Sequence, residues 1–112
     1  MKKYYHRKLI RDRIPEVIEA SNGQFKTRVL EKGEFEKELR KKLLEESKEL
    51  AKTPRTKLLN ELADVLEIVK SIASHHKISF LKIEEYQEDK RKKRGGFKKR
   101  LFLIWSTGKS GK

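Results

Sequence analysis

Two helical stretches divided by one short turn constrain this chain more than anything else in it. From Glu34 to Ala51, Phe35, Leu39, Leu43 and Leu50 fall within about 80° of arc when each residue advances about 100°, and Glu46 lies inside that apolar stripe. Thr53-Pro54 then suits the N-cap and first turn of a second helix, which runs to about Ser74. From Leu58 to Ala73 its ten apolar residues cover roughly 220° of the wheel. Glu61 lies inside that arc and Asp64 at its polar border. Two such segments with almost no loop between them form an antiparallel hairpin. The second has more apolar surface than one partner helix buries, so it belongs in the centre of a bundle or in a subunit interface.

Glu46 with Glu49, and Glu61 with Asp64, are spaced i, i+3, so each pair projects from one side of its helix with Cβ atoms about 5–6 Å apart. Glu46 is seven residues before Thr53 and Glu61 seven after Pro54, which puts them at one height. Glu49 is nearer the turn and Asp64 farther from it, each by about 4.5 Å at a rise of about 1.5 Å per residue. On a Lys-rich helix a lone Glu-x-x-Glu is ordinarily a solvated, ion-paired face. That explanation leaves two glutamates inside apolar stripes at matched heights unexplained, and a buried carboxylate is costly unless it is paired or binds a metal. All-oxygen ligation points to a hard cation, Mg²⁺ or Mn²⁺, rather than zinc. Magnesium also bridges phosphate oxygens, so the implied chemistry is attack of an activated water on phosphorus. Glu45 and Glu67 fall away from the stripes and read as solvated, Glu45 keeping an alternative as an outer-shell base.

The flanks are basic. Met1 to Arg13 interleaves Lys8, Arg11, Asp12 and Arg13 with Leu9 and Ile10. Pro15 opens a short helix to about Ser21, stopped by Asn22-Gly23. Residues 25–30 alternate weakly and predict a short strand. Ser79 caps a third helix, Phe80 to Lys93, whose second half is dominated by Lys90 to Arg94 and which ends at Gly95-Gly96. Residues 97–105 predict a second strand, a partner for 25–30, and residues 106–112 a flexible basic tail. His75-His76 reads as a surface pair. Gly108-Lys109-Ser110 mimics the end of a phosphate loop, but Leu103 stands where the earlier glycine is required.

At 112 residues the expectation is one domain over 1–105, small enough to gain from a partner subunit. No cysteine is present, which removes disulfides and thiolate metal sites. With no apolar run near ~18 residues and no signal-peptide core, the expectation is a cytoplasmic protein without membrane partners. The net charge of +13 favours polyanions: nucleic acid, nucleotides or an acidic membrane face. The acids cluster centrally between the two basic ends, a basic rim around an acidic centre that suits metal-bound phosphate. Nucleic acid is the alternative, with Lys90 to Arg100 neutralising phosphates, but Phe97 and Trp105 alone offer little stacking surface.

Glu45-Glu46-x-x-Glu49 followed by Glu61-Leu62-Ala63-Asp64 resembles the EExxE…ExxD signature of the MazG-like all-α nucleoside triphosphate pyrophosphohydrolases. Lys8-Leu9-Ile10-Arg11-Asp12-Arg13-Ile14-Pro15 and Lys90-x-x-x-Arg94-Gly95-Gly96-Phe97 look like the ends of its small single-domain, house-cleaning or phosphoribosyl-ATP pyrophosphohydrolase-like branch. The eleven residues between Glu49 and Glu61 are slightly few for the family. The resemblance implies a mainly α bundle completed as a homodimer or homotetramer. It implies Mg²⁺ held by Glu46, Glu49, Glu61 and Asp64, and cleavage of a nucleotide substrate to monophosphate and pyrophosphate. By the same carry-over Lys8, Arg11, Asp12, Arg13, Lys90 and Arg94 line the nucleotide site. The rival expectation is a basic nucleic-acid-binding module without hydrolase activity.

Overall fold

Pro15 and Asn22-Gly23 bracket the first helix. In the computed structural model, which describes residues 2–108, α1 spans Ile14–Ala20 with the proline in its first turn, where a missing N–H leaves no helical bond unmade. Its end is a Schellman turn. The Asn22 amide donates to the Glu19 carbonyl and the Gly23 amide to the Ile18 carbonyl, both at 2.9 Å. Asn22 takes the left-handed conformation, φ 60°, which asparagine tolerates. Space demands the glycine: a Cβ on Gly23 would stand 2.7 Å from a methyl of Ile18.

The chain falls into two compact units, Met1–Ile78 and Ser79–Lys112. In the first, α2 spans Lys32–Lys52 and is tied to the segment before it by Arg28, whose two terminal nitrogens donate to both oxygens of Glu34. Thr53 closes α2 in an extended conformation and Pro54 stays extended, φ −72° and ψ 157°. A 3₁₀ turn over Arg55–Lys57 then leads into α3, Leu58–His75. The expected Thr53 cap on the second helix is therefore not made, because Thr53 terminates the first. α2 and α3 are antiparallel: Glu36 near the start of α2 meets His75 and His76 at the end of α3, while Glu46 meets Glu61. Lys77 ends α3 in a second Schellman turn at φ 58°, with the Ile78 amide on the Ala73 carbonyl at 2.8 Å.

The seam between these helices carries the unit's core. Leu39 is 3% exposed, and Ile68 and Ala73 are 5% exposed. Full burial of one such leucine contributes about 1.5–3 kcal/mol. The other side of the wide arc on α3 is uncovered, since Leu58, Leu62 and Leu66 are exposed and Leu59 is 82% exposed. One partner helix covers less of α3 than its sequence offers.

At the open end of the hairpin, Arg40 Nε donates to Glu36 Oε1 at 2.6 Å, and His76 Nε2 and His75 Nε2 stand 2.8 Å and 3.4 Å from Glu36 Oε2. The His75 ring packs edge-on against Phe35 at 5.2 Å. The histidine pair is thus a tie between helix ends. The Arg40 hydrogen bond first, and His76 second, hold the Glu36 carboxyl below its ordinary value of about 4.5. A depressed folded-state value gives stability that is present above that ordinary value and is lost as pH falls through the folded one. The thermal midpoint is therefore expected to drop more steeply below pH 4.5 in the wild type than in Glu36→Gln, whose amide does not titrate. Parallel midpoint curves would show that the tie contributes nothing.

In the second unit α4 spans Phe80–Arg94, capped by Ser79 Oγ, which accepts from the Lys82 amide at 3.2 Å. It ends at Gly95, φ 82°, a conformation glycine adopts without a Cβ penalty.

The structure corrects both expected strands: none forms among the described residues. A strand requires a ladder partner, and residues 25–30 gain none within their unit, leaving Val29 97% exposed. Residues 97–105 begin with a turn in which the Arg100 amide bonds the Phe97 carbonyl at 3.1 Å. Arg100 is left-handed at φ 56°, which breaks the pleat before the apolar run. Of the expected basic tail, residues 109–112 lie outside the described ones, as do Lys109 and Ser110 of the discarded phosphate-loop mimic. The architecture is mainly α, and no helix among the described residues is long and apolar enough to cross a membrane.

Candidate functional site

Toward the connected end of the α2–α3 hairpin, at the first turns of α3, the apolar contact gives way to carboxylates. Glu46 from α2 and Glu61 and Asp64 from α3 each offer an oxygen within 4.8 Å of the others, and all three are half-buried. The helical repeat accounts for this: Glu61 and Asp64 share one face at i, i+3, and antiparallel pairing brings Glu46 to their height. At such separations unit charges repel by on the order of 1–3 kcal/mol per pair, depending on solvent screening.

One cation offsets part of that repulsion. Arg11, from the segment before α1, donates from Nη2 to Asp64 Oδ1 at 2.8 Å. Asn60, one turn before Asp64, donates to Oδ2 at 3.5 Å. Together they fix the carboxylate while leaving Glu46 and Glu61 facing it. The sequence reading singled out Arg11 for substrate and passed over Asn60. The i, i+4 spacing to Asp64 was the available signal for Asn60.

Three of the four expected metal-ligating acids are thus brought together. Glu49 stands apart, exposed on α2 with an oxygen 3.5 Å from Lys52 Nζ. The same i, i+3 spacing keeps Asp64 beside Glu61, so spacing does not separate Glu49 from the cluster; its side chain instead turns to the Lys52 ammonium on its own helix. Of the remaining expected site residues, Asp12 is exposed in the turn before α1 and Arg13 is the residue at its N-cap. Lys8 lies against α2 beside Lys41 and Lys42. In the second unit the Lys90 ammonium sits 5.3 Å from the centre of the Tyr86 ring, and Arg94 is the last residue of α4.

The donor set is chemically suited to a hard divalent cation: carboxylate oxygens only, from two rigid helices, partly shielded from water. Magnesium–oxygen distances are about 2.0–2.1 Å, so ligands on opposite sides of one ion stand roughly 4 Å apart. A separation of 4.8 Å is closed by small side-chain rotations.

Comparison of the chain with protein-family models, with curated proteins and with solved structures gives no significant match.

Proposed function

We propose that this chain is a divalent-cation-dependent nucleotide pyrophosphohydrolase, cleaving a nucleoside triphosphate or phosphoribosyl-ATP to the monophosphate and pyrophosphate, in the house-cleaning of non-standard nucleotides. The observation that carries the reading is the convergence of Glu46, Glu61 and Asp64 within 4.8 Å in a chain of net charge +13. A repulsive acidic knot in a basic protein is a poor stability device and a good cation seat.

In this reading Glu46, Glu61 and Asp64 hold Mg²⁺ or Mn²⁺, and Glu49 joins them by leaving Lys52. A cation bound there would polarise phosphate oxygens and supply an activated water near neutral pH. Arg11 and Asn60 position Asp64. Assignment of Asp12, Arg13, Lys90 and Arg94 to the substrate rests on the resemblance alone. The uncovered face of α3 supports assembly as a homodimer or homotetramer, since contiguous apolar surface of this kind marks an interface.

The deciding experiment is a panel of standard and damaged nucleoside triphosphates and phosphoribosyl-ATP, with Mg²⁺ or Mn²⁺, assayed for pyrophosphate. Release from at least one, dependent on the cation, is the expected result. No turnover of any, with steeply salt-sensitive binding to single-stranded RNA or DNA, would replace this reading by the nucleic-acid-binding one. That second reading has one observation in its favour: Phe97, Phe102 and Trp105 are all exposed in the second unit, more stacking surface than a strand would have left.

A further inference from the structure

Where residues 6–9 lie against α2 they line a part-open cavity of about 120 Å³. Arg7 and Lys8 line it from the segment, Lys41 and Lys42 from α2, with Glu38 and Glu45 the only acids in its walls. Among the described residues no ion pair involves any of these four cations. Four positive side chains around one cavity, against two carboxylates, leave an excess of positive charge that attracts an anion.

The backbone adds a second observation. Arg7 is left-handed at φ 47°, a conformation that costs a non-glycine residue about 1–2 kcal/mol, and its guanidinium is steadied 5.5 Å from the Tyr5 ring. Strain of this kind persists where the surroundings hold it and clusters at ligand clamps.

Size and place limit the ligand. The cavity's 120 Å³ is room for several waters, each of which needs about 10–15 Å³ of such space. That accommodates a phosphoryl group, and a lining of basic side chains favours one over a nucleobase. Lys42 precedes Glu46 by four residues, about 6 Å along the helix axis and on the same side of α2, a distance that a polyphosphate chain can span.

We infer that this cavity is an anion subsite that takes the terminal phosphate of the nucleotide's polyphosphate chain and holds the pyrophosphate product. Its role in turnover rests on the pyrophosphohydrolase reading; its affinity for the anion does not. The test is calorimetric titration of the full chain with pyrophosphate, orthophosphate, AMP and ATP at fixed ionic strength without divalent metal.

Pyrophosphate and ATP are expected to bind, AMP more weakly. Lys41→Gln/Lys42→Gln, which preserves helix propensity, is expected to weaken both on the order of tenfold or more, as for lost charge-assisted hydrogen bonds. Lys92→Gln/Lys93→Gln, which removes the same charge from α4, is expected to change neither. Should the α2 pair lose helicity by circular dichroism, Arg7→Gln, outside every helix, carries the same expectation. Equal weakening by the α2 and α4 pairs, unchanged affinity in the α2 pair, or no pyrophosphate binding by the wild type would overturn the subsite. Orthophosphate binding as tightly as pyrophosphate while ATP fails to bind would overturn its assignment to a terminal phosphate. Pyrophosphate binding with the expected loss in the α2 pair, but no turnover of any nucleotide, would remove the enzyme reading and leave the subsite standing.

Discussion

Replacing Glu61 by glutamine is expected to lower nucleotide hydrolysis on the order of 10³-fold, because a coordinated metal supplies several kcal/mol to the transition state and each ~1.4 kcal/mol is tenfold in rate. The helical circular dichroism spectrum is expected to be unchanged. Glu61 is half-buried within 4.8 Å of Glu46 and Asp64, so a neutral amide there relieves repulsion and leaves the metal-free protein at least as stable. A second readout is independent of turnover. A ligand bound only by the folded state stabilises it by mass action, so millimolar Mg²⁺ is expected to raise the melting temperature of the wild type and leave that of Glu61→Gln where it was. Full activity in the variant, or an equal magnesium shift in both proteins, would sink the assignment.

Leu39→Ala is expected to cost about 2–5 kcal/mol, the range for emptying a buried leucine site. Against a typical total of about 5–15 kcal/mol that is enough to leave much of the chain unfolded at 37 °C. Leu39 carries this weight because it is one of only three buried apolar residues among the described ones, at 3% exposure. Urea titration at one fixed protein concentration measures it, since any association would make the midpoint concentration-dependent. Leu59→Ala, at a position 82% exposed, is expected to change the unfolding free energy of a monomer by no more than about 0.5 kcal/mol. A Leu39→Ala loss below ~1 kcal/mol would place the core elsewhere than the α2–α3 seam.

The hairpin was legible because its signals are local and strong. The apolar period of 3.6, Pro15 near a helix start, Ser79 as a cap and Gly95 as a stop act within a turn of where they stand, and helix bounds follow to within a few residues. The two strands were illegible for the opposite reason. Alternation at 25–30 and 97–105 states only that a strand would be tolerated, and a strand exists when something pairs with it. Arg100 in a left-handed turn and an unpaired Val29 are outcomes of the whole chain's arrangement, with no local marker in its residues.

The acid cluster divides along the same line. Residue identity and spacing brought Glu46, Glu61 and Asp64 to one height, since i, i+3 spacing and equal distances from Thr53-Pro54 are arithmetic on a helix, but the same arithmetic placed Glu49 with them. Tertiary structure decided what surrounds them. Arg11, 53 residues from Asp64 in sequence, reaches it only once the N-terminal segment lies across the hairpin. Glu49 turns outward to Lys52, and Arg7 and Lys8 meet Lys41 and Lys42 over the cavity. A helix's own geometry places side chains on one face, while long-range contacts depend on which segments pack together, and that choice belongs to the fold as a whole.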